Sequence, residues 1–477
     1  MKKNLILLIF LSFSIFWKSS SQSCLPDGII FSTQSQIDSF DINYPDCTII
    51  EGKVTISGDD ITDLFGLFAL EFILDTLMIH DNPALNSLHG LNNLIYIKDF
   101  IVSDNAALEN FSFMGRLLII DGEFSVSNNN SLNNFSGLNS LNIIKGNFSI
   151  VNNADLNNFA GLGDLFSIEG VFLIENNIDL ENFEGLNNLY SIPEFKVYNN
   201  DGLIDFVGLN NFRSISATGN LGSFRIADND NLVNFNGLEN LETIRGIISV
   251  KNNLSLTYFF KLEKIKRLAA VVVENNNSII NFNGLNNLDT LQGPPGSSYF
   301  YVLNNSSLEN FTGLEKLSRM INTFRIENNT ALTSLVGLEN LNTVPSFVIK
   351  DCPNLSFCAI QSVCNHIENG GSMSVSNNAS GCNSVMEIES ACLVPVEELL
   401  DINEVEVFPN PSKGIIQLDG NNLEDLEIRM WDTTGKLYIN KRMTGNREID
   451  ITHLPGGLYY LELRFNDQVF MKKIVKN

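Results

Sequence analysis

The chain is 477 residues long and acidic, with 30 Lys and Arg against 55 Asp and Glu. Residues 22–392 hold 17 cations against 41 carboxylates, and residues 393–477 hold 10 against 14. Phosphate recognition needs clustered cations, so this balance argues against nucleic-acid and anionic-lipid partners.

At the N-terminus, Lys2 and Lys3 precede an apolar run from Leu5 to Phe16, and Ser19 and Ser21 suit cleavage before Gln22. The run is too short to span a bilayer, so the pattern predicts a signal peptide over 1–21. Later stretches are not apolar for long enough to cross a membrane, which predicts a mature chain without a transmembrane segment. Seven cysteines follow the cut. In an exported protein they predict disulfides rather than metal sites.

From Gly66 onward a short phrase returns. Gly-Leu pairs begin at Gly66, Gly90, Gly137, Gly161, Gly185, Gly208, Gly237, Gly284, Gly313 and Gly337, and Phe113 and Lys261 fill the glycine slot of two further copies. These twelve units lie mostly 23 or 24 residues apart, with insertions near 216–223 and 292–298. Such a period is the signature of a solenoid. Within a unit, Phe148 and Ile150 alternate with Asn147, Ser149 and Val151, as in a strand with one buried face. Asparagine pairs follow the strand, for example Asn128-Asn129, Asn152-Asn153 and Asn252-Asn253. They predict a sharp αL turn and a ladder of amides stacked from coil to coil. Cys352 falls in the second asparagine slot of the last unit and is expected to be a free, buried thiol. The other six cysteines then bridge Cys24 to Cys47 in an N-terminal cap, and Cys358, Cys364, Cys382 and Cys392 in a C-terminal cap, with three pairings open for the last four.

The unit "GLENLETIRGIISVKNN" (237–253) resembles the receptor L-domain, a leucine-rich-repeat relative. That resemblance implies a right-handed stack of parallel strands whose exposed face binds other macromolecules. Little in the repeats suggests chemistry. The histidines His80, His89, His366 and His453 are scattered, and Asp228 and Asp230 hint at calcium without the glycine and glutamate of an EF-hand loop. The degenerate unit "FFKLEKIKRLAA" (259–270) is the oddest place: Lys261, Lys264, Lys266 and Arg267 form a candidate binding patch for an anionic glycan or an acidic partner.

Past Cys392 the repeat stops, and residues 393–404 read as a linker. Short alternating segments then predict a small antiparallel β-sandwich. Phe408-Pro409-Asn410-Pro411 with Gly414, Asp432 with Gly435-Lys436, Leu454 with Gly457-Leu458-Tyr459, and Lys472-Lys473 resemble the type A sorting domain of type IX secretion. That resemblance implies export through the periplasm, recognition by the secretion machinery, and release or attachment at the cell surface.

The expected protein is all-β: a parallel β-solenoid of about twelve 23–24-residue coils, then the sandwich. Its parts are a signal peptide (1–21), N-terminal cap (22–57), repeats (58–352), cysteine-containing C-terminal cap (353–392), linker (393–404) and sorting domain (405–477). The expected function is recognition or adhesion of an extracellular protein or glycan, without catalysis or cofactor. A polysaccharide-degrading β-helix enzyme is the rival.

Overall fold

The computed structural model describes residues 22–216, 222–294, 298–393, 406–419, 426–433, 435–443, 447–465 and 468–477. The expected signal peptide, residues 394–405 of the linker region and the tips of both insertions lie outside them. The chain divides into two compact units, one ending at Asn200 and the other starting at Asp201.

In the first unit the alternation in the sequence becomes stacked parallel strands. Phe124–Ser127, Phe148–Val151, Val171–Glu175 and Glu194–Tyr198 pair in register, Phe on Phe and branched aliphatic on branched aliphatic. Leu132, Phe135, Leu138, Leu141, Ile144, Phe148 and Ile150 of one coil are all buried. Their rings form two columns. Phe100, Phe124 and Phe148 stack with centroids 5.2 and 5.0 Å apart, and Phe135 meets Phe148 edge-on at 5.9 Å. Each such pair adds roughly 0.5–1.5 kcal/mol beyond the area it buries. A second, two-residue strand precedes the main one in several coils, as at Ile143–Ile144, and pairs with its counterparts in neighbouring coils, while in Phe72–His80 and Tyr96–Ser103 the two run together as one strand. Nothing in the residue alternation announces it.

The N-terminal segment already stacks as coils rather than merely covering them. Gln22–Cys24 pairs with Cys47–Ile50, and Ile29–Phe31 with Val54–Ile56. Two short helices, Gln34–Asp38 and Phe40–Asn43, bury Ile37 and Phe40.

The asparagine pair divides its labour. The first member takes positive φ, 58° at Asn128 and 56° at Asn152, and forms an outer ladder in which Asn152 Nδ2 donates to Asn128 Oδ1 at 3.0 Å. The second member is fully buried. Asn153 Nδ2 donates to the carbonyls of Val126 (3.1 Å) and Val151 (3.2 Å), its N–H donates to Asn177 Oδ1 (3.0 Å), and its own Oδ1 accepts from Asn129 N–H (3.1 Å). This inner ladder runs Asn82, Asn105, Asn129, Asn153, Asn177, Asn200. The amide thus pairs backbone groups that the turn would otherwise leave orphaned in the core.

Glycine before leucine is required twice over. Gly137 has φ +109°, and a Cβ there would sit 1.9 Å from the carbonyl oxygen of Phe111 in the preceding coil. Phe113 and Lys261, at φ 80° and 86°, hold the same geometry with a side chain.

The second unit repeats the plan. Its inner ladder runs Asn229, Asn253, Asn276, Asn305, Asn329. Ser346–Lys350 pairs with a last rung, Ser372–Ser376, and helices Gln361–Glu368 and Val385–Leu393 close the end. The tail folds as two antiparallel sheets. One holds Glu406–Phe408, Ile415–Asp419 and Glu448–Asp450. The other holds Leu437–Met443, Leu426–Asp432, Gly457–Phe465 and Gln468–Lys476. Between them lies a core that includes Ile416, Leu418, Ile428, Met430, Ile449, Leu461 and Ile474. The structure is therefore the expected all-β solenoid followed by an antiparallel sandwich, and the rungs at Ile29–Phe31, Val54–Ile56 and Ser372–Ser376 extend the stack beyond the Gly-Leu units.

Candidate functional site

The cysteines pair as Cys24–Cys47, Cys358–Cys382 and Cys364–Cys392, and Cys352 is free and buried. Its N–H donates to Asn378 Oδ1 at 3.0 Å and its thiol to the Lys350 carbonyl at 3.3 Å, so sulfur stands where an amide stands in earlier coils. Burial pushes the thiol up to about 11, which keeps it protonated and unreactive at neutral pH.

The four cations of the candidate patch meet different partners. Lys261 lies at the corner of its coil with Nζ 3.5 Å from Glu239, and Lys264 Nζ donates to Asn240 Oδ1 at 2.6 Å. Lys266 and Arg267 line a shallow groove of about 440 Å³ with Arg245, Glu242, Asp289 and Gln292. Arg267 is 3.9 Å from Asp289. Neighbouring coils thus supply carboxylates for two of the four cations, and the groove carries both signs of charge.

Asp228 occupies the outer ladder slot, at φ 59°, and accepts from Asn252 Nδ2 at 2.6 Å. Asp228 thus stands in the ladder turn. Asp230 is raised by burial and then by Asp201 and Asp228. His80 pairs with Asp81 at 2.8 Å, His89 stacks beside Phe113 at 4.6 Å, and His366 Nε2 contacts the Ser372 carbonyl at 3.0 Å. Among the described residues, no group of three or more His, Cys, Asp or Glu is placed to hold a metal ion.

What the strands do offer is an outward face in register. In the first unit Met78, Ile101, Ser125, Ser149, Leu173 and Lys196 stand in register, one per rung. At the roughly 4.8 Å strand spacing of a sheet, this file presents serine and apolar side chains at regular intervals and ends on Lys196.

Part of the tail's motif meets the last strand. Asn410, between Pro409 and Pro411, donates from Nδ2 to the Lys473 carbonyl at 2.6 Å and accepts from Val475 N–H at 2.8 Å. Lys472 and Lys473 on that strand pair with Leu461 and Tyr460, and Gly457 pairs with Lys476. A Cβ on Gly414 would lie 2.8 Å from Thr452 Cγ2, and the Gly414 carbonyl accepts from Ile451 N–H at 2.7 Å. Asp432 receives the Lys436 N–H at 3.1 Å across a turn in which Gly435 has φ +83°. Tyr459 donates its hydroxyl to the Pro455 carbonyl at 2.8 Å. Asn410 and Gly457 thus hold the C-terminal strand, while Gly414, Asp432, Gly435 and Tyr459 fix turns elsewhere in the sandwich.

The tail's residues also match a known family. Residues 406–477 match the family described as "Secretion system C-terminal sorting domain". A crystal structure of a leucine-rich repeat protein from Bacteroides ovatus ATCC 8483 matches with a TM-score of 0.16 and 15% identity, over 61% of this chain and 81% of that one. No curated protein matches the sequence. The sorting-domain match implies secretion or display at the outer surface, and interaction with the secretion machinery. Among the described residues no helix is long and apolar enough to cross a membrane.

Proposed function

We propose that the chain is a secreted or surface-displayed recognition protein that binds an extracellular macromolecule through its solenoid, without catalysis and without a cofactor. The observation that carries this reading is the in-register outward file of Met78, Ile101, Ser125, Ser149, Leu173 and Lys196. A regular file of outward side chains, one per rung, suits an extended partner. The receptor L-domain resemblance and the sorting domain support the same reading.

The test is a glycan and host-protein binding array on the purified protein, run beside an assay for polysaccharide breakdown. Binding without product supports recognition. Product release transfers the function to the groove at Lys266, Arg267 and Asp289, whose mixed charge suits the rival reading of a polysaccharide-degrading enzyme. Deleting 405–477 is expected to strand the protein in the periplasm, as read by cell fractionation; normal surface display without it would refute the sorting role.

A further inference from the structure

Within the second unit the sandwich rests on one column of the solenoid, and the residues at that contact depart from the repeat. In the coil numbering, Tyr258 stands where Asn134, Asn158 and Asn182 stand in other coils, and Phe260 where Ser136 and Ala160 stand. Both side chains point away from the coil core, which Phe259 fills instead. Tyr258, Phe260 and Trp431 are 1%, 3% and 4% exposed and form a cluster separate from the sandwich core, with Ile280, Tyr460 and Met471 packed on it. Phe260 stacks on Tyr460 at 4.6 Å, and Tyr258 meets Trp431 edge-on at 5.4 Å.

Charges close the contact. Glu309 takes another repeat slot, one occupied by Asn133 and Asn157 in earlier coils. It pairs with Arg464 and lies 3.9 Å from Arg429, and both arginines also face the buried Glu462. The turn at Gly435 lies over Val233 and Thr257. On the tail, Arg429, Trp431, Tyr460, Glu462 and Arg464 alternate with the sandwich core, so one face of the four-stranded sheet is reserved for this contact. Yet Tyr258 Oη, Asn281 Nδ2, Asn283 Nδ2 and Thr312 Oγ1 are buried here without a hydrogen-bond partner among the described residues. A permanent core rarely tolerates such a row, since each orphan costs roughly 1–3 kcal/mol. Amide and hydroxyl groups of this kind suit a surface that is covered at one time and open at another.

We propose that the column from Val233 to Ser334 is a protein-recognition surface that the chain's own sorting domain occupies as a removable cover. The partner it fits is a protein presenting an aromatic ring beside an arginine, the chemistry that Tyr460, Trp431 and Arg464 present in the covered state. This rests on the recognition reading above and narrows it to one surface and one class of partner.

Trp431 is the sole tryptophan after the expected signal peptide, so its fluorescence reports the cover directly. A full-length chain carrying a protease site within 394–404 is compared before and after cutting. Uncut, Trp431 is expected to emit in the blue and to resist acrylamide. Phe260→Ala with Glu309→Ala on the solenoid, or Arg464→Ala on the tail, is expected to raise quenching severalfold while circular dichroism stays unchanged. Phe260→Tyr is expected to leave quenching as it is. A tryptophan as open to acrylamide in the uncut native chain as in the unfolded one overturns the cover. The cut chain, freed of its tail by salt, is expected to rebind released tail and to gain protein ligands on a purified-protein array that the uncut chain lacks. Equal binding by cut and uncut chains overturns the masked column and leaves the recognition reading standing. Gain of glycans instead of proteins overturns the partner class. Binding by neither form overturns the proposal and the recognition reading together.

Discussion

The same corner of the coil meets two different fates in the two units. Asn110, Asn134, Asn158 and Asn182 in the first unit are half-buried, and each accepts the backbone N–H two residues on, at 2.9 to 3.0 Å. Asn234, Asn281 and Asn310 in the second unit make the same turn, at 2.8 to 3.1 Å, yet are only 5%, 0% and 3% exposed. Local geometry is shared; burial is not. A repeat therefore fixes how the chain turns, while a distant segment decides whether the turn sees water.

The inner ladder is where the two regions must agree. Asn153→Ala in one unit and Asn253→Ala in the other each strip two buried carbonyls and the amide of the preceding rung. Each is expected to cost about 4 kcal/mol or more by denaturant unfolding. A large inequality would mean that the ladders differ in kind. Next in size is Arg464→Ala, which has no counterpart in the first unit. It leaves Glu462, itself 1% exposed, without its nearest cation, and is expected to cost about 3 kcal/mol. A loss below about 0.5 kcal/mol would place the pair among the weak surface ones.

A smaller contrast tests the corner itself. Asn281→Ala orphans the buried N–H of Asn283 and is expected to cost about 2 kcal/mol, whereas water can reach Ser136 N–H after Asn134→Ala, for about 0.5–1 kcal/mol. The gap should close once the tail is removed. Smallest is the relief of backbone strain. Phe113→Gly and Lys261→Gly are each expected to stabilise by about 0.5–1 kcal/mol, read as a rise in unfolding midpoint, because glycine takes positive φ without penalty.

Much of this was legible in the residues. The Phe-x-Ile alternation located the main strand, and the asparagine pairs located the turn, because both signals are local and recur. The second strand at Ile143–Ile144 leaves no mark in the sequence because two residues cannot show a period. The helix Val385–Leu393 lacked a clear amphipathic stripe, and only tertiary packing and the Cys364–Cys392 bridge fix it. The tail's seat was hidden for another reason. Its unit stood out through Lys261, Lys264, Lys266 and Arg267, but the neighbouring Tyr258 and Phe260 carried the contact. Pairing Glu309 with Arg464 across 155 residues leaves no trace in spacing.

The directionality of the buried amide chain has a consequence for how such a molecule changes length. Every link hands a proton donor forward and offers an oxygen backward, so all junctions are interchangeable. Excising residues 130–153 would set Asn129 against Asn177 with the chemistry it now shares with Asn153. Whole cassettes can therefore be lost or duplicated in frame, and reach becomes a quantity that copying alone adjusts.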